Sequence, residues 1–326
     1  MIKGFKSRAA AFAATVFYAL SAVFFSSPLF ACSDRAVALP DGLSVRFIDV
    51  GEGDCAFVYF PDGKTALIDC GLNDDKGKVY KKISGSLDEF AVQSLDYLII
   101  THVDSDHAGN LARIARDYKV KKAFLPYTVY KDAYPWFKDG CDALSECGAE
   151  TEVSDIYDSI SGDGYSMVFL SPSPADFSYG EYDEFNRSDN PSSTARNAVS
   201  PIIYLEYSGV RFLFTGDAEK KAQKSVYDKY ALKLYDDKGV NLAGIDFFKV
   251  PHHGAADAVC DELWSLLRCK NAVVSASADN FYAHPSDYAL LSLVNFSPAH
   301  ELFRTDVSGN ISVTVNDGNV STVTEK

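Results

Sequence analysis

The sequence predicts an α+β protein in which two β-sheets pack face to face and helices cover their outer sides, giving a four-layer αββα sandwich. Two observations favour this fold. Three short apolar stretches at 43–50, 55–60 and 65–69 follow one another closely, which is typical of an antiparallel meander. Further along, short and nearly continuous apolar runs such as 95–100 alternate with helical patterns, as expected for strands buried on both faces.

The elements after the meander follow from apolar spacing. Strands are predicted at 95–100, 165–170, 201–207, 211–214, 245–250 and 271–275, with terminal strands near 302 and 311. Helices are predicted at 107–118, 217–232, 257–267 and 285–294. The region 127–196 is rich in Tyr, Asp, Ser and Pro and contains one predicted strand, so we expect a loop-rich insertion there.

The first 31 residues have the pattern of a secretory signal peptide. Lys3, Lys6 and Arg8 precede a mostly apolar run at 9–25, and no acidic residue occurs in this segment. The run is shorter than the roughly 20 residues that a membrane-spanning helix needs. The sequence therefore predicts export, with residues 1–31 as the signal, a linker at 32–42 and one domain at 43–326.

Residues 29–32, Leu-Phe-Ala-Cys, resemble the lipobox of bacterial lipoproteins, in which the cysteine becomes the lipidated first residue of the mature chain. Lipid attachment at Cys32 and plain secretion both fit this segment. In either case we expect a location at the bacterial cell surface or outside the cell, with membrane association only through a lipid at Cys32.

The charge balance restricts the classes of partner. Without the signal, the chain carries 28 Lys and Arg against 45 Asp and Glu, a net charge of −17. A large negative charge repels polyanions, so tight non-specific binding of nucleic acid is not expected. A small molecule, or a phosphodiester that is bound through metal ions, remains compatible with this surface.

Four residues with metal-ligating side chains lie within a run of six. His102, Asp104, Asp106 and His107 follow directly on the predicted buried strand at 95–100, at the start of a helix. The whole chain has six histidines, so a chance H-x-D-x-D-H cluster is improbable, and a solvated acidic loop would not need a histidine at each end. The run therefore predicts a metal site.

Further ligand candidates stand after other predicted strands or beside helix starts: Asp217, His252, His253 and His284. Loops at one edge of two packed sheets come together, so we expect these residues to meet the first run. The Asp217 carboxylate is suited to bridging two divalent ions. Paired ions roughly 3.5–4 Å apart polarise a scissile group and convert water to hydroxide near neutral pH.

Five segments resemble, in order, those of the metallo-β-lactamase superfamily, and within it the extracellular hydrolase domain of competence protein ComEC and its free-standing relatives. They are 47–54, 101–109, 196–200 with 214–217, 249–254, and 282–285 trailed by 304–306. The superfamily signature is usually H-x-H-x-D-H, whereas Asp104 stands where the second histidine would be, as in ComEC-like members. The resemblance implies a metal-dependent hydrolase with the metallo-β-lactamase fold.

The resemblance also implies how two divalent ions are held: His102 and Asp104 on the first, Asp106 and His107 on the second, Asp217 between them, and His284 as a late ligand. Either His253 or His252 completes the shell of the first ion. We expect His253 as the ligand and His252, with Asp106, as a catalytic residue. Zinc is the expected metal, and manganese is the alternative because the carboxylate of Asp104 hardens the ligand set.

Other positions leave two interpretations open. Cys55 and Cys70 flank a predicted hairpin, so they form either a disulfide or two separate buried thiols. The resemblance places Asp49 and Asp69 near the site, where each carboxylate either orients a ligating histidine or forms a turn. Ala283 replaces a glycine that is usual in the family.

Kinship suggests the reaction. ComEC-like domains resemble nucleases, and a related family hydrolyses phosphocholine esters, so we expect hydrolysis of a phosphoester or phosphodiester. A lactone or β-lactam hydrolase is one alternative, because the same metal-bound hydroxide attacks such bonds. A non-catalytic exported binding protein is another, although it predicts a missing ligand, and every expected metal position except the neighbourhood of Asn197 is filled.

Overall fold

The computed structural model of the chain describes residues 39–74, 76–127, 133–173, 192–298 and 301–326. The predicted signal peptide, Cys32 and the part of the linker before residue 39 lie outside these ranges. Within them, no helix combines the length and the apolar character that a membrane crossing requires.

The described strands form two mixed sheets. They are β1 (Leu43–Phe47), β2 (Ala56–Tyr59), β3 (Thr65–Ile68), β4 (Tyr97–Ile99), β5 (Lys122–Leu125), β6 (Glu150–Val153), β7 (Ser159–Gly162), β8 (Tyr165–Phe169), β9 (Ile203–Tyr207), β10 (Val210–Phe214), β11 (Phe247–Lys249), β12 (Asn271–Val274), β13 (Glu301–Arg304), β14 (Ile311–Asn316) and β15 (Asn319–Thr324). The strand order is β15-β14-β1-β2-β3-β4-β5-β6 in the first sheet and β13-β12-β11-β10-β9-β8-β7 in the second. The predicted antiparallel meander is confirmed as β1, β2 and β3.

Helices cover the outer face of each sheet. They are α1 (Lys78–Asp88), α2 (Ser105–Ala108), α3 (Leu111–Tyr118), α4 (Pro135–Glu146), α5 (Ser193–Asn197), α6 (Lys220–Ala231), α7 (Asp261–Leu267), α8 (Asp287–Phe296) and α9 (Thr305–Ser308). Buried residues of α1, α3 and α4 form one apolar core with the first sheet. Buried residues of α6, α7 and α8 form a second core with the second sheet.

A third apolar core lies between the two sheets. It exists because successive side chains of a strand point to opposite faces. Phe57 of β2 packs towards the outer helices while its neighbour Val58 packs into the central core. In β10, Leu213 faces the helices and Phe212 faces the first sheet. Three cores between four layers confirm the predicted αββα sandwich.

The carboxyl ends of parallel strands bring the candidate ligands to one edge. β3 and β4 run parallel in the first sheet, and β10, β11 and β12 run parallel in the second. The chain leaves β4 towards His102, leaves β10 towards Asp217 and leaves β11 towards His252 and His253. The fold therefore delivers three separate loops to a shared region.

The region 127–196 differs from the expected loop-rich insertion. Its described parts contain α4, β6, β7, β8 and most of α5. α4 buries one face only, through residues such as Phe137 and Leu144, so its apolar spacing is sparse. β6 and β7 are the outermost strands of their sheets and carry mostly exposed, polar residues. Edge strands need little apolar sequence, which hides them from a hydrophobic pattern.

Cys55 and Cys70 are both buried and free. Their positions next to β2 and β3 place them in the outer core of the first sheet. Burial raises the pKa of both thiols far above the usual range, with further contributions from nearby carboxylates. They are therefore two separate, unreactive buried thiols rather than a disulfide.

Two helical glycines, one packed against a neighbouring helix and one in open space, predict opposite effects of substitution by alanine. A Cβ at Gly140 of α4 would lie 2.3 Å from Leu111 Cγ, whereas one at Gly85 of α1 would meet nothing within 4 Å. Gly140→Ala should lower the free energy of unfolding by about 1–3 kcal/mol through overpacking. Gly85→Ala should raise it by up to about 1 kcal/mol, since alanine favours helix. Urea unfolding measures the free energy of unfolding of both variants. A Gly140→Ala protein more stable than wild type would contradict the predicted overpacking of α3 against α4.

Candidate metal centre

Four predicted ligands converge into one compact group. His107 Nε2 lies 3.2 Å from Asp217 Oδ1 and 3.8 Å from Asp106 Oδ2. His253 Nε2 lies 3.4 Å from the same Asp106 oxygen and 3.7 Å from Asp217 Oδ2. Ligands about 2.0–2.2 Å from a tetrahedral zinc ion are separated by about 3.3–3.6 Å, so this spacing fits one ion.

The polar atoms of this group also fit a bound cation. His102 Nε2, His107 Nε2, His253 Nε2 and Asp217 Oδ1 are all buried and have no hydrogen-bond partner among the described residues. Leaving one buried polar atom unpaired costs about 1–3 kcal/mol, so several facing one another require a common partner. A divalent cation is such a partner, because imidazole nitrogens and carboxylate oxygens are its preferred ligands.

His102 extends the group towards a second ion position. Its Nε2 lies 3.9 Å from Asp217 Oδ2, and it groups within 4.8 Å with ligating atoms of His107 and Asp217. His253 also faces Oδ2, at 3.7 Å, whereas His107 faces Oδ1. Both oxygens of Asp217 therefore face histidines, and its bridging role stays a prediction.

Hydrogen bonds at Nδ1 orient the ligating rings. Thr101 Oγ1 donates to Asp69 Oδ2 at 2.7 Å, so it accepts from His102 Nδ1 at 3.1 Å. His107 Nδ1 donates to the same Asp69 oxygen at 2.8 Å. Each ring therefore carries its proton on Nδ1 and turns Nε2 towards the candidate metal positions. In metal sites, acceptors at Nδ1 commonly orient the histidine ligands in this way.

The two histidines of the second sheet are held in the same way. His253 Nδ1 donates to the backbone oxygen of Ser275 at 3.0 Å, and His284 Nδ1 donates to Glu52 Oε1 at 3.0 Å. Both therefore turn Nε2 away from these acceptors. Four histidines from three separate segments thus share one tautomer.

Asp69 and Asp49 have different roles, although the sequence allows each either to orient a histidine or to form a turn. Asp69 is fully buried and also accepts the Thr101 backbone N–H at 2.8 Å. Asp49 instead accepts the Gly51 N–H at 3.2 Å and pairs with Lys82 at 3.1 Å. Asp69 orients a candidate ligand, whereas Asp49 forms a turn outside the site.

The turn after β11 has a strained backbone at His252 and His253, and both side chains line the cavity. His252 and His253 have φ values of 49° and 54°, and the following Gly254 has 84°. A non-glycine residue in this left-handed region costs about 1–2 kcal/mol. The His252 N–H donates to Gly216 O at 3.1 Å, which fixes the turn against the loop after β10. Such strain is typical of functional sites.

Asp104 and His284 line the site without joining the ligand groups. Both oxygens of Asp104 accept from the Arg196 guanidinium, Oδ2 at 3.0 Å and Oδ1 in a shorter contact. Among the described residues, groups of three or more ligating atoms within 4.8 Å of one another include neither Asp104 nor His284. His253, which the sequence assigns to the first ion, lies with Asp106 and His107 instead.

His252 stands at the edge of the ligand group. Its Nε2 is 3.8 Å from Asp217 Oδ2, and its Nδ1 is 3.6 Å from Asp257 Oδ1 and 4.0 Å from Glu219 Oε1. The side chain is 21% exposed, compared with 3% for His253. His252 is therefore reachable from solvent while His253 is not.

An open cavity of about 600 Å³ leads to this group. This volume is typical of a small-molecule site. Its lining includes Asp104, Asp106, Asp217, His252, His253 and His284. Arg196, Asn197 and Tyr282 form further parts of the wall, so motifs from separate segments of the chain face one space.

The buried carboxylates control protonation of the histidines. Burial opposes a charge on His107, but Asp217, Asp69 and Asp106 raise its pKa well above the usual value. Burial acts likewise on His253, and Asp217 with Asp106 raises its pKa to about 9. The charges of His107 and His253 outweigh burial and hold the pKa of Asp217 well below its usual range. A metal ion binding here therefore displaces protons at neutral pH.

Some supporting residues were not assigned roles from the sequence. Lys249 Nζ forms a buried ion pair with Asp54 Oδ2 at 2.8 Å, and Asp54 Oδ1 lies 3.6 Å from His253 Nδ1. Glu52 holds His284, as described above. These residues belong to the segments 47–54 and 249–254, so the motif resemblance contains the signal that would have identified them.

The carboxylate pair Asp69 and Asp49 offers a matched test of this geometry. Asp69→Asn removes the acceptor that orients His107, so zinc affinity should fall by about 10–100-fold. Asp49→Asn removes a turn carboxylate outside the site and should leave zinc affinity unchanged. Competition titration with a chelating dye measures both. Equal affinities in the two variants would show that Asp69 does not position the ligand.

Comparison with known proteins agrees with this geometry. The model of the metallo-beta-lactamase superfamily matches residues 48–146. ComE operon protein 3 of Bacillus subtilis is 27% identical over 280 residues, 82% of this chain and 32% of that protein. Competence protein ComA of Neisseria gonorrhoeae is 26% identical over 291 residues, 88% of this chain and 35% of that one.

The chain spans about a third of the length of these curated relatives. Among solved structures, the metallo-beta-lactamase fold protein YhfI from Bacillus subtilis is similar with a TM-score of 0.48 and 9% identity, covering 86% of this chain and 99% of that one. The superfamily match begins in the meander and includes the whole H-x-D-x-D-H run. Together with the relatives, this match supports the interpretation of the chain as similar to the metallo-β-lactamase superfamily and, within it, to ComEC-like proteins.

Proposed function

We propose that this chain is an exported hydrolase that uses two divalent metal ions to cleave a phosphoester or phosphodiester. The observation that carries the proposal is the set of buried, unpaired ligating atoms at the floor of the open cavity. Kinship with competence proteins supports the bond class. A purely binding protein would have no need for a complete ligand group beneath a solvent-accessible space.

The residues divide the work of holding the ions. Asp106, His107 and His253 are placed to hold one ion, and His102 with Asp217 is placed to hold the second. When bound, such ions polarise the scissile group and lower the pKa of a coordinated water. We expect zinc, with manganese as the alternative. Asp104 remains a further candidate ligand that is paired with Arg196 in the structure.

His252 is suited to donate a proton to the departing oxygen. It lines the cavity, and the carboxylates of Asp257 and Glu219 lie 3.6 and 4.0 Å from its Nδ1. Asp106, whose Oδ2 lies 3.4 Å from His253 Nε2, would act with it by binding an ion. A general acid at this position assists a poor leaving group most, because an alkoxide must be protonated to depart.

The acidic lining favours a substrate whose charge is neutralised at the metal ions. The cavity wall carries Glu52, Asp104 and Asp257 in addition to the ligands, with Arg196 as a lining cation. An anionic phosphoester would be repelled by these carboxylates unless the ions are present. We therefore propose a small molecule or a metal-bound phosphodiester as substrate rather than nucleic acid gripped along its backbone.

Export is proposed from the segment 1–31, and a lipid at Cys32 is the proposed route to the membrane. If this is correct, wild-type protein expressed in a bacterium should fractionate with membranes, whereas Cys32→Ser should move to the soluble exported fraction. Immunoblots of fractionated cells measure this. A Cys32→Ser protein that stays in the membrane fraction would rule out lipid anchoring at this residue.

The function is tested by assaying metal-loaded protein against bis-p-nitrophenyl phosphate, a DNA strand, a lactone and nitrocefin. We expect turnover of a phosphoester and none of the β-lactam. His252→Gln should lower kcat by about 10²–10⁴-fold on a diester with an alkoxide leaving group. It should lower kcat far less on bis-p-nitrophenyl phosphate, because p-nitrophenolate leaves without a proton.

Metal content, measured on each preparation, is the control. If His252→Gln lowers kcat equally on both diesters and also lowers the metal content, His252 is a metal ligand and not a general acid. Turnover of the lactone alone would replace the phosphoester proposal.

A further inference from the structure

Two aromatic residues stand in solvent at the mouth of the metal cavity. Phe281 is 97% exposed and Tyr282 is 70% exposed, and Phe281 is the most exposed large apolar residue in the described part of the chain. Aromatic rings contribute most when buried, so adjacent exposed rings beside a cavity indicate a binding surface. We call Phe281 and Tyr282 the aromatic lip.

The lip continues a row of rings that starts at the metal centre. The His253 and His284 rings lie 6.2 Å apart at an interplanar angle of 26°, and the His284 and Tyr282 rings lie 5.6 Å apart at 19°. Tyr282 and Phe281 then meet edge to face at 6.0 Å. Tyr282 also lines the cavity itself. The lip therefore borders the cavity that leads to the candidate ligands.

The loop that carries the lip is held in place by side chains. Asn280 Nδ2 donates to the backbone oxygens of Ser277 and His284 at 2.6 and 2.7 Å, and its Oδ1 accepts the His284 N–H at 2.8 Å. Glu52 Oε2 accepts the Ser277 N–H at 3.1 Å. Ala283 is held at a φ of 57°, where glycine is the easier residue. The rings are thus presented outward by a fixed loop.

We propose that the aromatic lip is a stacking subsite for a planar, uncharged aromatic group on the substrate, of which a nucleobase attached to a phosphoester is the biological form. The proposal rests on the proposed phosphoester function. The carboxylates of the cavity wall would repel an anionic ring, so a neutral base is favoured. Stacking on aromatic side chains accepts any base, because every base has a π-face.

The first test uses adenosine, which lacks phosphate. Saturation-transfer NMR on zinc-loaded protein should show stronger transfer to the base protons than to the ribose protons. The double variant Phe281→Ala with Tyr282→Ala should abolish that transfer, and Tyr282→Phe should keep it. Tyr288→Ala is the matched control, because Tyr288 is a 52% exposed tyrosine that does not line the cavity.

The second test compares the non-hydrolysable methylene phosphonate analogues of AMP and ribose 5-phosphate by calorimetric titration. Wild-type protein should bind the adenine analogue about tenfold more tightly, and the double variant should lose this difference. Unchanged zinc content and an unchanged unfolding midpoint in the double variant exclude a folding defect. Both should be preserved, because Phe281 is 97% and Tyr282 70% exposed, and Glu52 rather than Tyr282 holds the His284 ring by a hydrogen bond.

The two tests separate the subsite from the reaction. Absence of base contact by adenosine, or equal transfer in the double variant, would overturn the aromatic lip while leaving phosphonate binding as independent support for the reaction. Base contact by adenosine without binding of ribose phosphonate would support the lip and count against the phosphoester function.

Discussion

The candidate metal centre depends on the hydrogen bonds that the buried carboxylate of Asp69 accepts. It accepts the backbone N–H and the hydroxyl of Thr101 together with Nδ1 of His107. Because the Thr101 hydroxyl is thereby a donor, its oxygen accepts from His102. One carboxylate at the end of β3 thus sets the tautomer of two histidines on the loop after β4. A carboxylate at 0% exposure without partners would be costly, and these three donors supply the partners that it needs.

The same centre concentrates opposing charges in a protein that is already acidic. Asp106 and Asp217 are stabilised by protonated His107 and His253 when metal is absent, as the directions of their pKa shifts indicate. Divalent ions supply that compensation more completely, because they pair with both carboxylates and imidazoles. Metal binding is therefore coupled to folding and to proton release, and ligands that bind only the native state stabilise it by mass action.

The fold confines most of this chemistry to loops that rigid strands position. β4, β10 and β11 end at the same edge and each contributes a ligand-bearing loop, while the Asn280-clamped loop after β12 adds the aromatic lip at the entrance. Buried ligands lie at the floor and exposed rings lie at the mouth. The candidate ligands thus lie in a buried region, where the effect of a bound ion on a neighbouring group is greatest, and the exposed rings lie at the rim.

Hydrophobic periodicity along the sequence was enough to predict the layer architecture and the meander, because it is a local property. Local ligand spacing identified the run with Asp106 and His107, whereas Asp217 and His253 were assigned to the same site through the family resemblance. The sequence did not predict α1, α4 and the edge strands β6 and β7, whose residues are largely polar because only one face is covered. The partition of ligands, the Asp104–Arg196 pair, the orienting role of Asp69 and the exposure of Phe281 depend on residues far apart in the chain. These features became visible only in the folded structure, because side-chain direction is fixed by packing between elements and not by spacing along the sequence.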